Sequence, residues 1–145
     1  PIVACATPWG YGAISVIRLS GQGLQAIVEA ICGPLPPPRQ MKKVSIRDGN
    51  RQIDQGMICW MPAPRSYTGE DVVELSCHGN PLIVEELLAL FQRCGLRLAR
   101  PGEFTRRALL HGKMDLCRAE AVIQASLCKP LACTSWSEVV VYPSS

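Results

Sequence analysis

The sequence contains no uninterrupted run of eighteen apolar residues, which excludes a membrane-crossing helix within it. No GxxxxGK[ST] string occurs, so the chain has no phosphate-cradling loop of that kind. Gly10-Tyr11-Gly12 lacks the third glycine of a dinucleotide fingerprint and is read as a plain turn. The GxSxG elbow of serine hydrolases and the HExxH zinc helix are both missing. His78 and His111 are the only histidines, and neither has a second ligand at motif spacing. None of the eight cysteines forms a CxxC pair, so ribbon-type zinc sites and dithiol redox sites lack support. No metal site and no catalytic residue is therefore nominated.

What is present suits one folded domain. The chain has 145 residues, 48% of them apolar and 19% charged, a balance that supports a core and argues against global disorder. The opening Pro1-Ile2-Val3-Ala4-Cys5 lacks the basic segment that begins a secretory signal, so the thiols are expected to be reduced. Cys5, Cys59, Cys77 and Cys94 lie in apolar-patterned stretches and are expected to pack as small core residues. The net charge of +3 selects no partner by itself. Its distribution is more informative: between residues 93 and 118 seven basic side chains stand against only Glu103 and Asp115, whereas Glu70, Asp71, Glu74, Glu85 and Glu86 come earlier.

Hydrophobic periodicity predicts strands at 2–6, 13–19, 42–47, 53–61 and 72–77, with Asp48-Gly49-Asn50 closing a hairpin. Leu24, Ile27, Val28 and Ile31 make a helical stripe. Asn80 and Pro81 mark the start of a second helix carrying Ile83, Leu87, Leu90, Phe91 and Cys94, which Gly95 ends. Leu96 and Leu98 suggest a short edge strand. A helix from Pro101-Gly102-Glu103 to about His111 follows, and Asp115 is placed to cap a last helix containing Leu116, Ala119, Val122 and Ile123. This order gives an α+β fold, a mixed β-sheet packed with helices, and not a strict β-α repeat.

Three polar, glycine-bearing segments sit where strands meet helices: Val16 to Gly21, Tyr67 to Gly79, and Arg100 to Leu116. Within them Arg18 interrupts an apolar strand, and alternation turns Glu74 to the face opposite Leu75. Charges on a strand are costly unless paired or solvated, so Arg18 and Glu74 either neutralise each other across a sheet or belong to a ligand site. Glu103 can pair with Arg107 at i+4, and Arg106 shares a face with Lys113 if their helix persists.

Thr68-Gly69-Glu70-Asp71-Val72-Val73-Glu74-Leu75 with His78-Gly79, Arg100-Pro101-Gly102-Glu103-Phe104-Thr105-Arg106-Arg107-Ala108, and Gly112-Lys113-Met114-Asp115-Leu116 resemble the amino-terminal domain of the MnmE/TrmE tRNA uridine-modification GTPase family. Ala4-Cys5-Ala6-Thr7-Pro8 and Arg18-Leu19-Ser20-Gly21 match its opening in the same order. The resemblance covers residues 1–126. Residues 127–145 do not match and are expected to form a poorly packed tail, either the start of a truncated helical region or non-native sequence.

The resemblance implies a fold similar to tetrahydrofolate-binding aminomethyltransferase-like domains, binding of 5-formyl-tetrahydrofolate, and a homodimer. It also implies a cytoplasmic parent that modifies the wobble uridine of tRNA together with a flavoprotein of the MnmG type. GTP, Mg and K would belong to a G domain that this sequence does not contain, so the chain is not expected to be catalytic alone. Carried over by motif, the folate contacts fall on Arg18, Glu74 and Lys113. A carboxylate can accept the paired N–H groups of a pterin edge, and cations can meet the formyl oxygen and tail carboxylates.

Where the family has a Pro-Gly-Arg-Gly-Gly type turn, this sequence reads Pro8-Trp9-Gly10-Tyr11-Gly12-Ala13, losing an arginine and one glycine. That change keeps open a second reading, a dimerisation module with a degenerate folate site. A third is a basic surface that contacts tRNA. The third ranks last, because Phe104 is the only aromatic side chain among the basic residues there.

Overall fold

A computed structural model describes residues 1–127. The expected tail at 128–145, with Cys128 and Cys133, lies outside the described residues. Ten elements follow in order: β1 (Ile2–Cys5), β2 (Gly12–Ser20), α1 (Leu24–Cys32), β3 (Met41–Asp48), β4 (Arg51–Met61), β5 (Val72–Gly79), α2 (Pro81–Arg93), β6 (Arg97–Leu98), α3 (Glu103–Leu110) and α4 (Leu116–Leu127). The strands form one six-stranded sheet in the order β3-β4-β5-β2-β1-β6. All neighbours are antiparallel except β1 and β6, so the sheet is mixed and the fold is α+β. The hairpin falls where Asp48-Gly49-Asn50 places it, with Asp48 opposite Arg51.

The two-residue period of the strands sorts side chains between two faces. Ile17 and Leu19 of β2, Ile58 of β4, and Val73 and Leu75 of β5 lie on one face, and none is more than 1% exposed. Over it pack Leu24, Val28 and Ile31 of α1 and Val84, Leu87, Leu90 and Phe91 of α2. Each such fully buried side chain contributes about 1.5–3 kcal/mol relative to exposure. Asn80 caps α2 by accepting the Leu82 N–H at 2.9 Å, and Pro81 occupies the first turn, where its missing donor costs nothing.

The core expectation for cysteine needs correction. Cys32 and Cys77 are buried and Cys5 and Cys59 half-buried, but Cys94 is exposed. It follows the last residue of α2, where the backbone has left the helical path and the stripe no longer faces inward.

The opposite face is polar at its centre. Arg18 and Ser20 of β2 and Glu74 of β5 point there, and α3 together with the connection 62–71 covers them through Phe104, Thr105, Tyr67 and Thr68. α3 stops at Leu110, so Arg106 and Lys113 do not share a helical face as an unbroken helix would have arranged. The Lys113 N–H returns to the Ala108 carbonyl at 2.8 Å, with Gly112 at φ 69° supplying the left-handed residue such a reversal requires. Asp115 then caps α4, accepting the Arg118 N–H at 2.8 Å.

Candidate functional site

Arg18 and Glu74 face each other directly across β2 and β5. Arg18 Nε and Nη2 both donate to Glu74 Oε1, at 3.1 and 2.7 Å. The guanidinium also lies 5.5 Å from the Tyr67 ring centre and 5.7 Å from that of Phe104, close enough for cation–π attraction. Arg18 is 2% exposed, and its Nη1 has no hydrogen-bond partner among the described residues. An unsatisfied buried donor costs about 1–3 kcal/mol, which the ion pair and the two ring contacts oppose.

A hydrogen-bonded brace supports this pair. Ser20 Oγ donates to Glu70 Oε2 at 2.8 Å and lies 2.7 Å from Thr68 Oγ1, whose hydroxyl must then donate to it. Arg107 of α3 reaches the same Glu70 oxygen at 2.8 Å. Burial pulls the Glu70 carboxyl upward, but the bonds from Arg107 and Ser20 outweigh it and hold the pKa below the usual range. Glu103 pairs with Arg107 at 3.5 Å, as its i+4 spacing predicts, and also with Arg97. The Arg97 contact is the chief reason its carboxyl is held down at about 2.

The connection 62–71 meets the α3–α4 turn through a glycine. A Cβ on Gly69, whose φ is 80°, would stand 2.8 Å from His111 Cβ, so a larger residue would push the two segments apart. His111 Nδ1 lies 2.9 Å from both the Thr68 and Arg107 carbonyl oxygens. Carbonyls only accept, so this nitrogen carries the proton. The clamp fixes Lys113, two residues on, beside the connection.

Beneath that junction opens a cavity of about 640 Å³, within the ordinary range for small-molecule sites. Its apolar walls are Met61, Tyr67, Met114, Ala121, Val122 and Ala125. Its polar lining is Arg65, Ser66, Glu74, Lys113 and Arg118. Two of the three residues carried over from motif, Glu74 and Lys113, thus line one cavity. Arg18 does not line it; it stands behind Glu74 and touches that carboxylate from the buried side. Neither Arg65 nor Arg118 was marked from sequence as a contact. Arg65 sits in Pro62-Ala63-Pro64-Arg65, where no periodicity indicates a facing direction. The lining holds charge, hydrogen-bonding groups and flat apolar surface, and no histidine or cysteine among the described residues. It is equipped to hold and orient a ligand.

His78 Nδ1 pairs with Asp54 at 2.7 Å on the exposed rim of the sheet. Among the described residues no group of three His, Cys, Asp or Glu side chains is arranged to hold a metal ion, and no helix is long and apolar enough to cross a membrane.

Residues 1–113 match the family described as "GTP-binding protein TrmE N-terminus". The protein named "tRNA modification GTPase MnmE" from Ralstonia nicotianae is 50% identical over 127 residues, covering 84% of this chain and 27% of that protein. Proteins of the same name from Azoarcus sp. and Coxiella burnetii are 50% and 48% identical over 122 and 121 residues, each alignment covering 83% of this chain and 27% of the relative. The chain therefore spans a little over a quarter of the length of these relatives.

Proposed function

The chain belongs to the family of TrmE amino-terminal domains, and from that premise we propose that it binds a reduced folate, 5-formyl-tetrahydrofolate, in the cavity lined by Glu74 and Lys113. The observation that carries this reading is one carboxylate and several cations around a single, mostly apolar cavity of about 640 Å³. A pterin head offers paired N–H donors suited to Glu74, the one acidic group among the described lining residues. Its flat rings suit Tyr67 and Met114, and its carboxylate end suits Lys113. When bound, the folate would supply a one-carbon unit. The protein's part is to orient it: Arg18 fixes the Glu74 carboxylate from behind, and the Glu70–Arg107 brace holds the covering connection in place.

In the same reading the domain forms a homodimer and serves as the front of a cytoplasmic GTPase that modifies the wobble uridine of tRNA with an MnmG-type flavoprotein. GTP, Mg and K would be held in other parts of that parent. Titration of the 145-residue chain with 5-formyl-tetrahydrofolate should saturate. Glu74→Gln should weaken binding by at least tenfold, because it removes charge from the head-group hydrogen bonds. Absence of saturable binding, or indifference to Glu74→Gln, overturns the folate reading.

A second reading, a dimerisation module with a degenerate folate site, is favoured by the altered turn at residues 8–13. Tyr11 there is 83% exposed and Ile14 beside it 63%, surface that a second copy could cover. Sedimentation at dimer mass without folate binding would support it over the first.

A further inference from the structure

Charge is unevenly placed along the cavity. Glu74 stands at its inner end, with only 21% of its side chain exposed and its carboxylate against the buried Arg18. Arg65, Lys113 and Arg118 are all exposed side chains, so they mark the outer mouth. Among the described residues no carboxylate pairs with Arg65 or Lys113. Arg118 has only a loose 3.9 Å contact with Asp115, itself mostly exposed. Elsewhere Arg51, Arg93, Arg97 and Arg107 have acidic partners, while Arg39, Arg47, Arg100 and Arg106 have none among the described residues, so what distinguishes the mouth is three cations on one opening. Three cations around one opening, none with a close carboxylate partner among the described residues, repel each other and create a positive potential there.

A ligand matched to this arrangement has a hydrogen-bond-donating head, a flat apolar body and a tail with more than one negative charge. A folate bearing a single glutamate brings two carboxylates to the mouth, against three cations. Each further γ-linked glutamate adds one carboxylate. We infer that Arg65 and Arg118, with Lys113, form a tail subsite that selects polyglutamylated over monoglutamyl folate. This rests on the folate reading above and adds to it the form of the ligand.

The contacts lie in water and are screened, so each is worth a few-fold in affinity at most. For the intact 145-residue chain, 5-formyl-tetrahydrofolate carrying three glutamates should bind about five- to tenfold more tightly than the monoglutamate in low salt. That ratio should shrink toward one as salt is raised. In Arg65→Gln/Arg118→Gln the ratio should fall to within about twofold, whatever happens to either affinity singly. The wild-type comparison needs no variant, so misfolding of the double variant cannot hide the result.

Saturable monoglutamate binding with equal triglutamate affinity overturns the tail subsite while leaving the folate reading in place. A triglutamate preference that persists in the double variant overturns the assignment to Arg65 and Arg118. Failure of both ligands to bind removes the folate reading and the subsite together.

Discussion

The two faces of the sheet are built from the same strands and are packed in opposite ways. On one, Ile17, Leu19, Val73 and Leu75 meet α1 and α2 in a dry apolar layer. On the other, one residue further along each strand, Arg18 and Glu74 meet each other, two aromatic rings and a cavity. The first layer gains free energy from every side chain it buries. The second holds a buried guanidinium with one nitrogen unsatisfied, an arrangement that stability alone does not favour. On the proposed function, stability rests on one face and recognition on the other, and substitutions can test that division.

The largest effect is expected on the apolar face. Phe91 is fully buried, and Phe91→Ala should cost about 3–5 kcal/mol in urea unfolding. Next comes Glu74→Ala, which strands Arg18 without its counter-charge. A loss of about 2–3 kcal/mol is expected, less than for a fully enclosed pair because part of Glu74 reaches solvent. The double variant Arg18→Met/Glu74→Leu removes both charges together and should recover most of that loss while leaving folate binding absent. Stability that stays low in the double variant would mean the pair does structural work and would blur the division.

A smaller effect concerns acid. The Glu103 carboxyl is held at about 2, well below its unfolded value of about 4.3. A depressed carboxylate stabilises the fold above its unfolded pKa, and that contribution is lost as pH falls from about 4.3 toward 2. Thermal melts of wild type and Glu103→Gln should therefore differ near neutrality and converge toward pH 2. The smallest change should come from Cys94→Ser, within about 0.5 kcal/mol at an exposed position. The thiols report the same geometry chemically: Cys94 and Cys117 should alkylate readily in the native protein. Cys32 and Cys77 should resist, buried and with pKa values pushed up to about 12.

Local chemistry made much of this fold readable in advance. Asn80-Pro81 starts α2, Asp48-Gly49-Asn50 closes the β3–β4 hairpin, and Asp115 caps α4, because each signal depends only on near neighbours. Strand alternation sufficed to send Glu74 away from Leu75, and register then set it opposite Arg18. Less was readable where two distant segments decide together. The helix α3 ends at Leu110, next to the expected His111, but helical spacing alone does not reveal the reversal that follows it, which removes the face Arg106 and Lys113 would share on a longer helix. Cys94 follows the periodic stripe of α2 yet falls just past its last turn. Arg65 sits on a non-repeating proline-rich connection, and only the folded arrangement of the chain places it on the cavity lining.

The hairpin turn at residues 48–51 lies at the opposite end of β4 from Met61, which lines the cavity. An eleven-residue strand spans about 35 Å at roughly 3.3 Å per residue. A fluorophore attached at Asn50 would thus sit at a convenient energy-transfer distance from a labelled ligand while remaining clear of its contacts. The sheet itself supplies a ruler with which occupancy could be watched in real time.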